Sequence, residues 1–404
     1  MGRAPLSEEK PEEKKISRRA YAKYAAAGIV AVGVAAAGTY YATRPRPPVT
    51  PTVAPPKKYE GVKLTLIGDA GHNQMPFYWE RSRIAEDLGI EYDIIGVPFG
   101  ELVEKIMTDF ATETGAYDVV VFPPPAGGDF YAGGYIHPID EYVEKWPINW
   151  DDIISCFREL YCTLGGRKYA VTWDGDHFNL YYRYDIFEDP SLRAKFKEQY
   201  GYELTAANMR YDKENLDIAK FLTKAYNPDS PVDYGTSENA GRGCNQWWFF
   251  SRFGSAGGIY FDDDMHPLIN REEGIRALES FKAVIPYCPP GVLKFGYDEH
   301  KDAFILGGCA FLVQWPCIGK KSEDPALSKI VGKVKYELCP GFDVAGTLNQ
   351  RGNLAWGRVL AISKFCENPE AAYAFIHHLS AEKSWWATRW VADPRTGLDL
   401  FRYY

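Results

Sequence analysis

Residues Gly165 to Asp185, GGRKYAVTWDGDHFNLYYRYD, admit few folds, because one extended segment runs into a short polar break and a second runs out of it. Tyr169-Ala170-Val171-Thr172 has the β-branched and aromatic character of a strand, and Asn179 to Tyr184 alternates into another. Between them stand Trp173, Asp174, Gly175, Asp176 and His177. An indole beside two carboxylates and a glycine, on a loop held by strands, offers a stacking face, acceptors and close backbone approach. That chemistry suits a polyhydroxylated ligand. The flanking residues read as separate α/β units, so this stretch is also the expected crossing between two lobes, where ligand sites tend to fall.

A chain of 404 residues, 46% hydrophobic, can bury a large core and is expected to divide into two globular units. Its net charge of -8 is unevenly spread: residues 1–58 carry eleven Lys/Arg and four Asp/Glu, which leaves the remainder strongly acidic. Such a surface repels phosphate backbones, and nucleic acid is excluded as a partner. The eight cysteines lie between Cys156 and Cys366 without metal-site spacing. No cofactor and no metal are expected. Cys156/Cys162 and Cys309/Cys317 are near enough in sequence to pair, and buried free thiols are the alternative.

Residues 1–16 are polar and read as a disordered cytoplasmic tail. Ser17-Arg18-Arg19-Ala20-Tyr21-Ala22-Lys23 resembles a twin-arginine export signal, and the uncharged, Ala-rich Tyr24–Thr43 follows it, so 17–43 reads as signal or membrane anchor. Ala35 and Ala37 before Gly38 fit a cleavage site; an uncleaved anchor is the alternative. Residues 44–58 hold six prolines and read as an extended stalk.

The folded part begins near Val62. Val62 to Ile67 alternates as a strand ending at Gly68-Asp69-Ala70-Gly71-His72-Asn73, a helix to about Leu88 follows, and Tyr92 to Val97 is a second strand. Leu102, Ile106 and Phe110 give Phe99–Phe110 a helical face, and Tyr117 to Phe122 is an apolar run of a buried strand, stopping at Pro123-Pro124-Pro125. This order predicts a mostly parallel sheet with ligand contacts at the strand C-terminal ends. Further on, Asn270 is expected to cap a helix with Ile275, Leu278, Phe281 and Ile285 on its apolar face, Ala310–Trp315 forms a strand, and Asn368-Pro369-Glu370 opens a helix through His378.

YDVVVF, GGDFYAGGYIHPIDEYV, GGRKYAVTWDGDHFNLYYRYDIFED, FGSAGGIYFDDDMHPLINREEGIRALESFK, YDEHKDAFILGGCAFLVQWPCIG, ELCPGF and NLAWGRVLAISKFCENPEAAYAFIHHLSAEKS succeed one another over most of residues 62–383. In this order they resemble the family 1 extracellular solute-binding proteins, the sugar and maltose type that serves ABC importers; the tail and stalk are similar to those of archaeal members. The resemblance implies a two-lobe α/β fold of the periplasmic-binding-protein kind (type II), with helices flanking the sheets and a ligand cleft between lobes. It implies lobe 1 at 59–171 plus 355–383, lobe 2 at 172–354 plus 384–404, and hinges near Thr172 and Ala355. The family usually continues well past VADPRTGLDLFRYY, so the sequence reads as a truncated form.

Sugars lay their C–H faces on indoles and need donors and acceptors around the rim. Trp173, Trp315 and Trp356 each follow a strand beside Gly, Pro or Asp, and each is a ligand candidate with a core role as the alternative. The resemblance places the second-lobe ligand tryptophan at Gln314-Trp315-Pro316 and first-lobe contacts after YDVVVF, at Phe122 and Pro124. Trp247 and Trp248 are adjacent and point apart, so at most one faces the cleft; Trp385, Trp386 and Trp390 have helical, core-like spacing. Asp174 and Asp176 serve as hydroxyl acceptors, His72 and Asn73 as donors or as a solvated turn, and Arg358 as a ligand contact or the partner of a lobe carboxylate.

The expected function is capture of a sugar or oligosaccharide outside the cytoplasm and its delivery to ABC permease subunits, without catalysis. A polyamine or other non-sugar solute is the alternative in the same fold. An exported glycoside hydrolase is the alternative of another class, although two carboxylates two residues apart point the same way and cannot readily flank one bond.

Overall fold

Strand alternation organises the first lobe. Val119 and Val121 point into one core with Leu64, Leu66 and Trp173, whereas Val120 and Phe122 point into another with Ile67, Ile106 and Phe110. The sheet between them is therefore apolar on both faces and covered by helices on both.

The computed structural model describes residues 59–352, 354–381 and 387–403. The tail, twin-arginine segment and stalk lie outside the described residues, as do Trp385 and Trp386. Among the described residues no helix is long and apolar enough to cross a membrane.

The strands used below are β1 (Val62–Asp69), β2 (Ile90–Val97), β3 (Val119–Phe122), β4 (Ala170–Asp174), β5 (Asn179–Arg183), β6 (Tyr234–Thr236), β7 (Cys309–Gln314), β8 (Val334–Glu337) and β9 (Arg358–Ile362). The helices are α1 (Arg81–Leu88), α2 (Phe99–Thr112), α3 (Asn245–Ser255), α4 (Glu272–Val284), α5 (Cys317–Ser322) and α6 (Pro369–Ser380). The first sheet has the order β2-β1-β3-β9-β4, and the second β8-β5-β7-β6. In the first, β1 is parallel to β2 and β3, but β9 is antiparallel to β3 and β4. In the second, β5 is antiparallel to β8 and β7, and only β6 and β7 are parallel. The sheets are thus mixed rather than mostly parallel. The cause is the crossing: the chain leaves the first sheet at the end of β4 and re-enters at that same edge, so β9 has to run the other way.

The crossing itself falls at 175–178, a few residues beyond the expected Thr172, because β4 continues to Asp174. The return falls at 354–357, near the expected Ala355. Residues 387–403 touch both lobes: Trp390, Leu398 and Phe401 pack in the first-lobe core, while Pro394, Thr396 and Leu398 are bonded from the second lobe by Lys320 and Lys321. A second core gathers Phe178, Leu180, Trp248, Phe311, Val313 and Trp315 around the second sheet.

Local signals mostly hold. Leu102, Ile106 and Phe110 form the buried face of α2, and Pro369 opens α6. Helix α4 differs: Ile275 and Leu278 are 54% and 51% exposed, while Gly274, Ala277, Ser280, Phe281 and Val284 face inward. Its small residues allow close packing on α3, which turns the bulkier pair outward. Asn270 makes no cap, since Arg271 precedes the first turn without a side-chain bond. All eight cysteines are free. The Cys162 thiol lies 3.3 Å from the Thr172 hydroxyl and the Cys317 thiol 3.1 Å from the Tyr297 hydroxyl, so neither expected pair forms.

Trp173 is fully buried, stacked on Phe77 with centroids 4.7 Å apart and packed on Trp390 at 5.3 Å. Its Nε1 donates to the Asn73 carbonyl at 3.2 Å. Trp173→Ala should therefore destabilise the chain by about 3–5 kcal/mol in denaturant unfolding. A loss below about 1 kcal/mol would contradict this placement.

Candidate functional site

Strand directions decide which side chains meet. Asp69 ends β1, Asp174 ends β4, and Arg358 begins the reversed β9, so all three arrive at one edge of the first sheet. Arg358 donates from Nε and Nη2 to the two Asp69 oxygens at 3.1 and 3.0 Å. Its Nη1 donates to Asp174 at 3.4 Å and to Asp176 at 3.2 Å. The Asn73 amide lies against the same guanidinium, its oxygen accepting from Nε at 3.1 Å. Gly357, at φ +112°, passes so close to the Asp174 carbonyl that no side chain fits there, which lets β9 enter beside β4.

The guanidinium also lies over the Phe99 ring, 5.2 Å from its centroid. Phe99 in turn meets Trp247 edge to face at 6.1 Å. Trp247 lies 5.3 Å from Trp356 and 6.3 Å from Trp315, and Trp315 stacks on Phe178 at 4.1 Å. Trp247 and Trp356 are half-buried, whereas Trp315, at 7% exposure, forms the layer beneath. The main chain ties the halves as well, since the Trp356 N–H donates to the Asp176 carbonyl at 2.9 Å. An aromatic wall of the second lobe thus continues into a charged edge of the first.

Of the residues expected from sequence, Asn73, Asp174, Asp176, Trp247, Trp315, Trp356 and Arg358 come together here. His72 is adjacent, its ring edge to face with Tyr297 of the second lobe at 5.4 Å. Two do not belong, Trp173 and Phe122. Trp173 has its ring covered and its N–H engaged inside the core. Phe122 points into the opposite core against Phe130 and Tyr131. Pro124 opens a buried turn, Pro124–Ala126, over that same core. Strand-end position was the signal for Trp173 and the family resemblance for Phe122 and Pro124, and neither specifies which face a side chain takes.

Phe99, two residues beyond the strand end at Val97, and residues 393–402 were not among the residues expected from sequence. In that segment the Asp399 N–H donates to Asp174 Oδ1 at 2.8 Å and Gly175 N–H donates to the Asp399 carbonyl at 3.3 Å. Helix α5 holds the segment from the second lobe. Lys320 Nζ donates to Thr396 Oγ1 and the Leu398 carbonyl at 2.9 and 2.8 Å, and Lys321 Nζ to the Pro394 and Thr396 carbonyls at 2.7 and 3.1 Å.

Electrostatics follow from burial. Burial raises Asp174 and Asp176 well above the usual carboxylate range, neighbouring carboxylates add to this, and Arg358 opposes it. Burial and Asp174 raise Asp399 to about 7. Burial alone would lower Arg358, but Asp69, Asp176 and Asp174 outweigh it and hold the guanidinium above its ordinary value. Burial, with Lys321 and Arg358, lowers His72 to about 3.

Residues 84–384 match the bacterial extracellular solute-binding protein family, and the chain belongs to it. A mannitol-binding protein of Pseudomonas aeruginosa is 22% identical over 293 residues, 71% of this chain and 63% of its own length. A probable ABC transporter-binding protein of Deinococcus radiodurans is 26% identical over 226 residues, 54% of this chain and 48% of its own. The chain therefore spans less than two thirds of the length of these relatives. Among solved structures, an ABC transporter solute-binding protein of Agrobacterium radiobacter in complex with ribitol aligns with a TM-score of 0.71 at 23% identity, over 85% of this chain and 82% of that one. One from Agrobacterium vitis with bound D-mannitol gives 0.67 at 22%, over 84% and 78%, and a maltose-bound protein of T. maritima gives 0.68 at 22%, over 85% and 82%. The fold is that of the two-lobe periplasmic binding proteins, and the family and these neighbours are binding proteins rather than enzymes.

The aromatic wall rests on His300, whose ring packs on Trp248 at 5.3 Å. Its Nε2 donates to the Ser237 carbonyl at 3.1 Å, and its Nδ1 accepts from the Gln314 amide at 3.0 Å. Burial lowers its pKa from 6.5 to about 3, against the bond to Ser237, with Arg252 nearby adding to the lowering. The unfolded chain then binds the extra proton below pH 6.5, so this contribution is intact above 6.5 and is lost as pH falls toward 3. Between pH 7 and pH 4, His300→Gln should lose less unfolding free energy than the parent in denaturant titrations. Equal losses would count against a buried neutral imidazole.

Proposed function

We propose that this chain is the receptor of an ABC importer, capturing a polyol or sugar between its two lobes outside the cytoplasm and presenting it to permease subunits. The observation that carries this reading is the junction at Phe99, where the half-buried Trp247 and Trp356 meet the Arg358 carboxylate cluster. Indole faces take the C–H side of a polyol, while Arg358 donates to its hydroxyls and Asp176 accepts from them. The mannitol-binding relative and the ribitol, mannitol and maltose complexes of similar proteins support the same substrate class.

Capture needs no bond-making group. The carboxylates lie on one side of the site, with oxygens of Asp174, Asp176 and Asp399 all within 4.8 Å of one another, whereas glycoside cleavage needs a pair flanking the bond at roughly 5–9.5 Å. Ligand binding instead shifts the lobes toward a closed form through the segments 175–178 and 354–357, and the permease reads that form. The N-terminal basic segment, apolar stretch and stalk would tether the receptor to the outer face of the membrane. One observation favours a second reading: the carboxylates around Arg358 would also suit a polyamine.

Thermal-shift titrations with mannitol, ribitol, maltose and spermidine should separate these readings, since a bound solute raises Tm by mass action. The expected result is a shift with a polyol or sugar and none with spermidine. Trp356→Ala should weaken the responding ligand at least tenfold, about 1.4 kcal/mol, with little change in the Tm of the free protein. A response to spermidine alone would replace the substrate class, and an unchanged affinity in Trp356→Ala would remove the aromatic wall from the site.

A further inference from the structure

We infer that Asp174, Asp176 and Asp399 hold a divalent cation of the hard, oxygen-seeking class, with calcium the best match. One oxygen from each lies within 4.8 Å of the other two, and all three side chains are buried. Two come from the edge where β4 ends, and the third from the segment packed against it more than two hundred residues later.

A second observation is independent of this clustering. Asp399 is 2% exposed, and among the described residues its Oδ2 accepts no hydrogen bond, so one buried carboxylate oxygen is left unsatisfied. A cation satisfies such an oxygen directly.

Charge makes the same demand. Asp69 is buried beside the trio, so four carboxylates surround one contacting guanidinium, Arg358. Two of its donors are taken by Asp69, and Nη1 is shared between Asp174 and Asp176. The Lys320 ammonium donates to Thr396 and the Leu398 carbonyl and acts on Asp174 and Asp399 only through space. A neutral solute would fill lone pairs and leave the excess negative charge. A divalent ion removes it.

The donor set is carboxylate oxygen without sulfur or imidazole, which suits calcium or magnesium rather than zinc or copper. Calcium accepts irregular oxygen shells completed by water, as a site assembled from a strand end and a separate segment requires. The ion would also pin the 393–402 segment, which α5 holds from the other lobe, to the first-lobe edge. The ion would share Asp176 with the proposed solute site, and because it is measured without any sugar, failure of the ion site and failure of the substrate reading are told apart.

The test uses the full chain, freed of metal with a chelator, and follows terbium luminescence excited through tryptophan, with calcium and magnesium as competitors. Trp173 precedes the first ligand and supplies the antenna. Saturable luminescence displaced by calcium is expected, together with a Tm rise of at least about 3 °C in millimolar calcium. Asp399→Asn and Asp176→Asn should each weaken terbium binding at least tenfold while keeping the parent's circular dichroism. Absence of saturable luminescence in the folded parent would overturn the inference. So would affinity unchanged in both variants, since the ion would then sit elsewhere and protons alone would neutralise the trio.

Discussion

The guanidinium of Arg358 bonds carboxylates that the first sheet gathers at one edge from distant parts of the chain. It bonds Asp69 at the end of β1 and Asp174 at the end of β4, and it reaches Asp176 in the crossing to the second lobe. Buried carboxylates at this density repel one another, so the edge can exist only around a shared cation. The cation stands there because β9 re-enters the first sheet between β3 and β4, running against both. Topology therefore sets the electrostatics, and the electrostatics hold the crossing segments in place.

The second lobe contributes shape instead of charge. Phe178, Trp248 and Trp315 form a packed floor, and Trp247 and Trp356 stand on it half-exposed. Phe99 carries the contact across to Arg358, which makes one surface from an apolar wall and a polar edge. The proposed hydroxylated solute would be oriented by that asymmetry, its flat apolar side having one place to lie and its hydroxyls another. Because the two surfaces belong to different lobes, the proposed solute would bias the lobes toward closure by filling the space between them.

Much of the scaffold could be read locally. Leu102, Ile106 and Phe110 announced a helix face, and the alternation through Val62–Ile67 announced a strand, because period and secondary structure are coupled over a few residues. Direction was not local: nothing in Arg358–Ile362 says that it runs against its neighbours, so the sheets turned out mixed. Trp173 shows a similar limit. Its position at a strand end was readable, but the face it takes depends on Phe77 and Trp390, remote in sequence. The same holds for α4, where small residues beside α3 outcompeted Ile275 and Leu278 for the interior. Asp399 sits in a stretch without periodicity, and only the folded chain sets it beside Asp174.

The central claim, that one guanidinium organises the edge facing the aromatic wall, is tested most directly by Arg358→Met, which keeps a long side chain and removes the charge. The account predicts a loss of about 3–5 kcal/mol in unfolding free energy at neutral pH, the penalty for leaving buried charges unpaired. Recovery on acidification should follow, as the stranded carboxylates take up protons. A variant within about 1 kcal/mol of the parent across that pH range would contradict it.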